Sequence, residues 1–384
     1  MHSFLHATEV RAADAAATGN AALWEDFNAR VRTVTPNFKQ PLVALEESSH
    51  TPTPAMLESA LQTLRVAFPL SDQEVSDFQA RRFVRLRGVL PPAVLEAARQ
   101  RLVELASRAT NGRNASLPAA PPPPSDGSVH GNSQRWAAIS EPTTRSWHIQ
   151  MMWTIDPIIR AIILSPRIGN IVSRLLGCNS VRLYHDNCLS RAPGSKRTLW
   201  HCDDGPNGYM AVGGPNVVTV WFPLHTCAPS MGSLVFPKAP DTCDGQAARS
   251  LNAFDVAHHA QAVGLDEKSD EYDRLCATAL EQSGALPDET TYEIGDLSVH
   301  ATDCFHCAGP NLTETPRMIL AATYFPDEST MRTDMGPIES LPRGQQNDWK
   351  KFAPGVVPGM KLASKFNPIV PPLIDNERTS PRTR

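Results

Sequence analysis

From about residue 180 the chain changes texture: short apolar runs follow one another, punctuated by proline and glycine, where before it reads as helix. The runs are Val181 to Leu189, Val217 to Phe222, Ser233 to Phe236, Asp296 to Phe305 and Arg317 to Phe325. Each has the length and β-branched or aromatic content of a strand. Helices first and many short strands afterwards predict a mainly β fold with flanking helices, packed as a sandwich or jelly roll. At 384 residues the chain can bury a sizeable core, and 41% hydrophobic with 20% charged residues is a globular balance.

The helical part is marked by its end signals. Ser71-Asp72-Gln73-Glu74 is a capping box, with Leu70 and Val75 at the staple positions. Phe83 to Arg87 alternates apolar and basic residues, as a half-buried strand does. Pro91-Pro92 opens a helix in which Val94, Leu95, Ala98, Leu102 and Leu105 recur at helical spacing. Asp156-Pro157 and Ser165-Pro166 each pair an N-cap with a proline at the first helical position, and Gly177 stops the second helix. Four units follow: an N-terminal helical extension over 1–70, a main domain over 71–326, and an irregular Pro-rich segment over 327–384. The fourth is an acidic, mostly helical insertion over 240–292, set inside the main domain. A second internal feature, the break at 110–134 with four consecutive prolines from Pro121 to Pro124, is a surface loop.

Chemistry concentrates in Trp200-His201-Cys202-Asp203. In a strand, residues two apart share a face, so the His201 imidazole and the Asp203 carboxylate converge on one point. A site needs a third donor from elsewhere, and His306, about 100 residues on, is the best candidate. Two imidazoles and a carboxylate suit iron(II) as a facial triad with three positions open. Histidine, any residue, aspartate is common by chance; Arg317 makes the pattern more specific. Gly309-Pro310-Asn311-Leu312 lies midway between His306 and Arg317, so a hairpin would set the two opposite one another. That would place a guanidinium fork beside the metal, shaped for the far carboxylate of a 2-oxo diacid. His300 shares the face of His306 by parity along one strand and reads as a core histidine ahead of an outer neighbour of the metal. Cys304-Phe305-His306-Cys307 is formally a C-x-x-C, but its thiols would face opposite ways and no second pair completes a zinc site.

These residues resemble the phytanoyl-CoA dioxygenase family over about Leu70 to Pro371. The likeness includes Phe83 to Leu90, Ser165 to Gly177, the Trp200-His201-Cys202-Asp203 motif, and His306-Cys307-Ala308-Gly309-Pro310-Asn311 with Arg317 eleven residues after the histidine. It implies a double-stranded β-helix (jelly-roll, cupin-like) core, with iron(II), 2-oxoglutarate and O2 as cofactor and co-substrates. It also implies that Trp221 and Asn187 lie near the 2-oxoglutarate. Ala308 departs from the family, whose members often have a serine there, and Met231-Gly232-Ser233-Leu234 departs from its Asn-Gly turn.

The resemblance implies oxidation of a small organic substrate, a secondary metabolite or an acyl-CoA, with hydroxylation the natural outcome and succinate and CO2 released. Lys196-Arg197 could meet coenzyme A phosphates but reads first as a solvated loop. Two other readings stay open, a zinc-dependent hydrolase on the same triad and a non-catalytic binding barrel. A formal charge of -4, from 36 basic and 40 acidic residues without long runs, calls for neither nucleic acid nor an anionic membrane. No apolar stretch has spanning length, and no secretory leader pattern is seen, so the expected location is cytoplasmic with free cysteines. The oligomeric state is left open, a homodimer included.

Overall fold

The computed structural model describes residues 20–32, 51–111, 146–204, 210–213, 216–238 and 269–370. Helices among them are α1 (Asn20–Val31), α2 (Pro54–Thr63), α3 (Asp72–Arg81), α4 (Pro92–Asn111), α5 (Pro157–Ile163), α6 (Pro166–Leu176), α7 (Asp270–Gln282) and α8 (Arg343–Phe352). Local rules account for their ends. Ser71 accepts from the Glu74 amide while Glu74 reaches back to the Ser71 amide, the full capping box. Asp156 and Ser165 cap α5 and α6, and Gly177 ends α6 in the left-handed region. The Pro-rich stretch beyond Asn111 lies outside the described residues, as do most of the insertion and His258-His259.

The strands are β1 (Phe83–Leu86), β2 (Trp147–Gln150), β3 (Val181–Arg191), β4 (Thr198–His201), β5 (Val218–Pro223), β6 (Leu234–Lys238), β7 (Leu286–Glu289), β8 (Leu297–Ala301), β9 (His306–Ala308), β10 (Arg317–Pro326) and β11 (Ile369–Val370). They form a major sheet in the order β1-β8-β5-β10-β3-β11, with β2 also on β3, and a minor sheet in the order β4-β9-β6-β7. All pairings are antiparallel. Between β3 and β10 the partners nest: β3 with β10, β4 with β9, β5 with β8, β6 with β7. A long hairpin rolled up on itself produces that nesting, so the core is a double-stranded β-helix, the jelly roll.

Strand periodicity then separates the two faces of the major sheet. On β10, Met318, Leu320, Ala322 and Tyr324 join the large core shared with α4, α5 and α6. The alternate residues Ile319 and Ala321 face the barrel interior with Trp221, Phe83 and Phe236. The minor sheet has its own outer cover, in which Trp24 and Phe27 of α1 and Tyr272 and Cys276 of α7 pack around Trp200 and Cys307.

Three expectations are corrected. Asp296 to Phe305 is not one strand: β8 ends at Ala301 in the major sheet, and the chain crosses before β9 begins in the minor one. His306 and Arg317 are not hairpin partners, because β9 pairs β4 and β6 whereas β10 pairs β3 and β5. The segment after 326 is less irregular than its prolines suggest, since it contains α8 and supplies β11 to the edge of the major sheet.

Candidate metal and co-substrate site

His201 and His306 are direct cross-strand partners on β4 and β9, with ring centroids 4.2 Å apart. Each imidazole turns its Nδ1 to the carbonyl two residues earlier, His201 to Leu199 at 2.8 Å and His306 to Cys304 at 3.1 Å. A carbonyl only accepts, so each Nδ1 bears the proton and each Nε2 presents a lone pair. The strand ends at His201, and Asp203 is delivered by the bend that follows. That bend is pinned by the Asp204 amide donating to Thr302 O at 2.8 Å and by Arg332 on the Asp204 carboxylate at 2.8 Å. The result puts Asp203 Oδ1 3.9 Å from His201 Nε2 and 3.8 Å from His306 Nε2. One donor atom from each of the three residues lies within 4.8 Å of the others, a set that can hold a metal ion.

Electrostatics suit that use. Burial alone would raise the Asp203 carboxyl, but His300 beside it, with His306 and His201, holds it well below the usual carboxylate range. Burial, reinforced by His201 and His300, pushes His306 well down, so it is a neutral imidazole, the form that ligates. Asp203 Oδ2 accepts from Thr219 Oγ1 at 2.9 Å, and that hydroxyl also meets Thr323 Oγ1 at 3.1 Å.

Arg317 lies at the start of β10, in register with Arg191 of β3. Its guanidinium is buried and donates through Nη1 to the Gly232 carbonyl, while Nε has no partner among the described residues. Burial pushes it down to about 10, with Cys227 opposing and Arg191 assisting. Among the described residues no carboxylate pairs with Arg317 or Arg191. The guanidinium connects to the histidines through the minor sheet: Gly232 precedes Leu234, which pairs with Ala308, two residues past His306. Four residues of extended chain make roughly 13 Å, within the combined reach of a side chain and a chelating diacid.

Trp221 and Asn187 both occupy the inward face, each opposite Ala321. Trp221 stacks edge-on against Tyr292 at 5.0 Å. Asn187 meets His148 Nε2 through Oδ1 at 2.7 Å and His185 Nδ1 through Nδ2 at 3.3 Å. Tyr184 and Tyr324 are core residues whose hydroxyls meet the Ala211 amide and the Ile163 carbonyl, both at 2.8 Å. His225 serves the backbone, bonding Thr226 O and accepting from the Met318 amide. Cys304 and Cys307 sit in different clusters, so they do not share a zinc. Arg197 is neither a solvated loop residue nor open to a phosphate, because it grips the buried Asp273 at 2.8 and 2.5 Å. Thr219, Thr323 and Arg191 were not singled out from the sequence, and His300, read first as a core histidine, is buried beside Asp203. Only Arg191 left a trace, an arginine on an inward strand position.

Fold and site define a non-haem iron, 2-oxoglutarate-dependent oxygenase. The chain belongs to the phytanoyl-CoA dioxygenase family, whose sequence profile matches residues 80–319. That span holds His201, Asp203, His306 and Arg317 and is shorter than the stretch from Leu70 to Pro371 over which the sequence resembles the family. No curated protein sequence matches the chain. Similar solved structures include the non-haem α-ketoglutarate-dependent carbocyclase SnoK from nogalamycin biosynthesis, at 18% identity and TM-score 0.49 over 78% of this chain and 96% of that one. The epimerase SnoN of the same biosynthesis is 16% identical, with TM-score 0.48 over 82% and 99%. EctD from S. alaskensis with bound iron is 15% identical, with TM-score 0.45 over 69% and 79%. Among the described residues no helix is long and apolar enough to cross a membrane.

Proposed function

We propose that the chain oxidises a C–H bond of a small organic substrate, most simply by hydroxylation, and converts 2-oxoglutarate and O2 to succinate and CO2. One oxygen atom of O2 enters the succinate and the other the product. The observation that supports this best is a pair of bare Nε2 atoms and a carboxylate oxygen meeting at one point, with an unanswered buried guanidinium in the same barrel. His201, Asp203 and His306 would hold iron(II). Arg317 would receive the far carboxylate of 2-oxoglutarate, with Trp221 and Asn187 flanking it on the inward face. Bound iron and 2-oxoglutarate supply the oxidising chemistry. The residues position them and exclude water, and Arg317 neutralises a charge that would otherwise be desolvated alone.

A zinc hydrolase fits less well. The neighbouring acid it could use as a base, Asp204, is buried and ion-paired with Arg332, and Arg317 would have no task. With Arg197 committed to Asp273, the dibasic pair gives no support to a coenzyme A ester, and a smaller substrate is preferred. Anaerobic addition of iron(II) and then 2-oxoglutarate should give the weak visible charge-transfer absorption of the chelate, absent in His306→Ala. Stoichiometric zinc resistant to exchange, with no such band and no succinate from a broad substrate panel, would overturn the proposal.

A further inference from the structure

His300 is buried at 1% exposure and faces the barrel interior from β8, in register with Thr219 on one side and Phe83 on the other. Its ring centroid lies 4.4 Å from that of His306 and 5.5 Å from that of Phe236. Among the described residues neither ring nitrogen has a well-aligned hydrogen-bond partner to offset the cost of burying it. Its Nε2 stands 3.4 Å from Asp203 Oδ2, an oxygen of the candidate metal site.

The two oxygens of Asp203 therefore have opposite surroundings. Oδ2 has Thr219 Oγ1 at 2.9 Å and His300 Nε2 at 3.4 Å. Oδ1 faces the bare Nε2 atoms of His201 and His306 at 3.9 and 3.8 Å. Among the described residues Asp203 Oδ2 is the carboxylate oxygen paired with His300 Nε2, which places the proton on Nε2, directed at Oδ2. We infer that His300 is a positioning residue that, together with Thr219, holds the outer oxygen of Asp203 and keeps this carboxylate bound to the metal through Oδ1 alone. The inference rests on the proposed metal site. Its consequence is a count of positions: a carboxylate binding through both oxygens takes one more, and a chelating co-substrate plus O2 need three open. Thr323, behind Thr219, supports the same arrangement from β10.

Cobalt(II) serves as the probe, measured by anaerobic dialysis and by its visible ligand-field absorption, which weakens as coordination number rises. His300→Phe fills the site without a donor, and His300→Gln restores one. We expect His300→Phe to bind cobalt about tenfold to a hundredfold more weakly, with weaker absorption per bound ion, and His300→Gln to stay within about threefold of wild type in both. A cooperative melt of metal-free His300→Phe shows that the variant folds, whatever the shift in its midpoint. Thr219→Val, which deletes the other donor to Oδ2, should weaken cobalt binding in the same direction. If His300→Phe matches wild type in affinity and absorption, the inference is overturned and the metal site stands. If wild type takes up no cobalt, the site and the inference fall together.

Discussion

Arg317 brings a positive charge to a place where no carboxylate of the described chain answers it, and a second arginine, Arg191, stands directly across the strand pair. A buried charge without a counter-charge lowers stability, and an apolar side chain of similar volume removes that cost. Arg317→Met should therefore raise the unfolding free energy of the metal-free protein by about 1 kcal/mol or more. The same change should weaken 2-oxoglutarate binding to the metal-loaded protein by about a hundredfold, since it deletes the partner of a desolvated carboxylate. Denaturant unfolding and calorimetric titration measure the two effects. A loss of stability in the metal-free variant would show that the guanidinium serves the Gly232 carbonyl instead. His201, Asp203 and His306 were legible as a donor set, because the two-residue spacing puts two donors on one face, whereas Arg317 was reached through a hairpin that the structure does not contain. Thr219 was not legible, since a threonine inside a β run signals nothing until a carboxylate is seen beside its hydroxyl.

The element on which Arg317 depends is the 3-10 turn Pro229–Met231, closed by Gly232 at φ +86. A Cβ there would meet both Gly309 O and Arg317 Nη1, and the left-handed backbone adds strain for any other residue. Gly232→Ala should therefore weaken 2-oxoglutarate binding about tenfold or more, as expected for losing a charge-assisted contact. Cobalt affinity should stay close to wild type, because the turn supplies none of the three donors. Equal losses of both ligands would mean that the minor sheet itself had been disturbed. Helix ends were legible at this scale because a cap is settled within four residues, as at Ser71, Asp156 and Ser165. Strand partnership was not. Gly309-Pro310-Asn311 reads as a tight hairpin, yet it moves the chain from the minor to the major sheet. There the Asn311 amide fastens the crossing to the carbonyls of Arg191 and Thr315. The same local pattern serves a hairpin or an arch, and only the packing of two sheets decides which.

At the scale of the whole molecule, the site is the place where the two sheets are tied. His201 and His306 belong to the minor sheet, whose outer face is covered by α1 and α7. Asp203 is held from the major sheet by Thr219 of β5 and approached by His300 of β8. A metal at this point cross-links the sheets through side chains, in addition to filling a loop. Mass action sets the size of the effect: metal at a hundred times its dissociation constant adds about 2.7 kcal/mol, which for a chain this long is a rise of several degrees in the unfolding midpoint. The location of the effect is the sharper test. Hydrogen exchange should slow in β5 and β8 as well as in β4 and β9, because opening either sheet would break the same cross-link. In Asp203→Ala the tie to the major sheet is gone, so any metal still held by the two histidines should protect β4 and β9 alone. Protection confined to the minor sheet in wild type would mean that Asp203 follows the metal without anchoring it to the rest of the barrel.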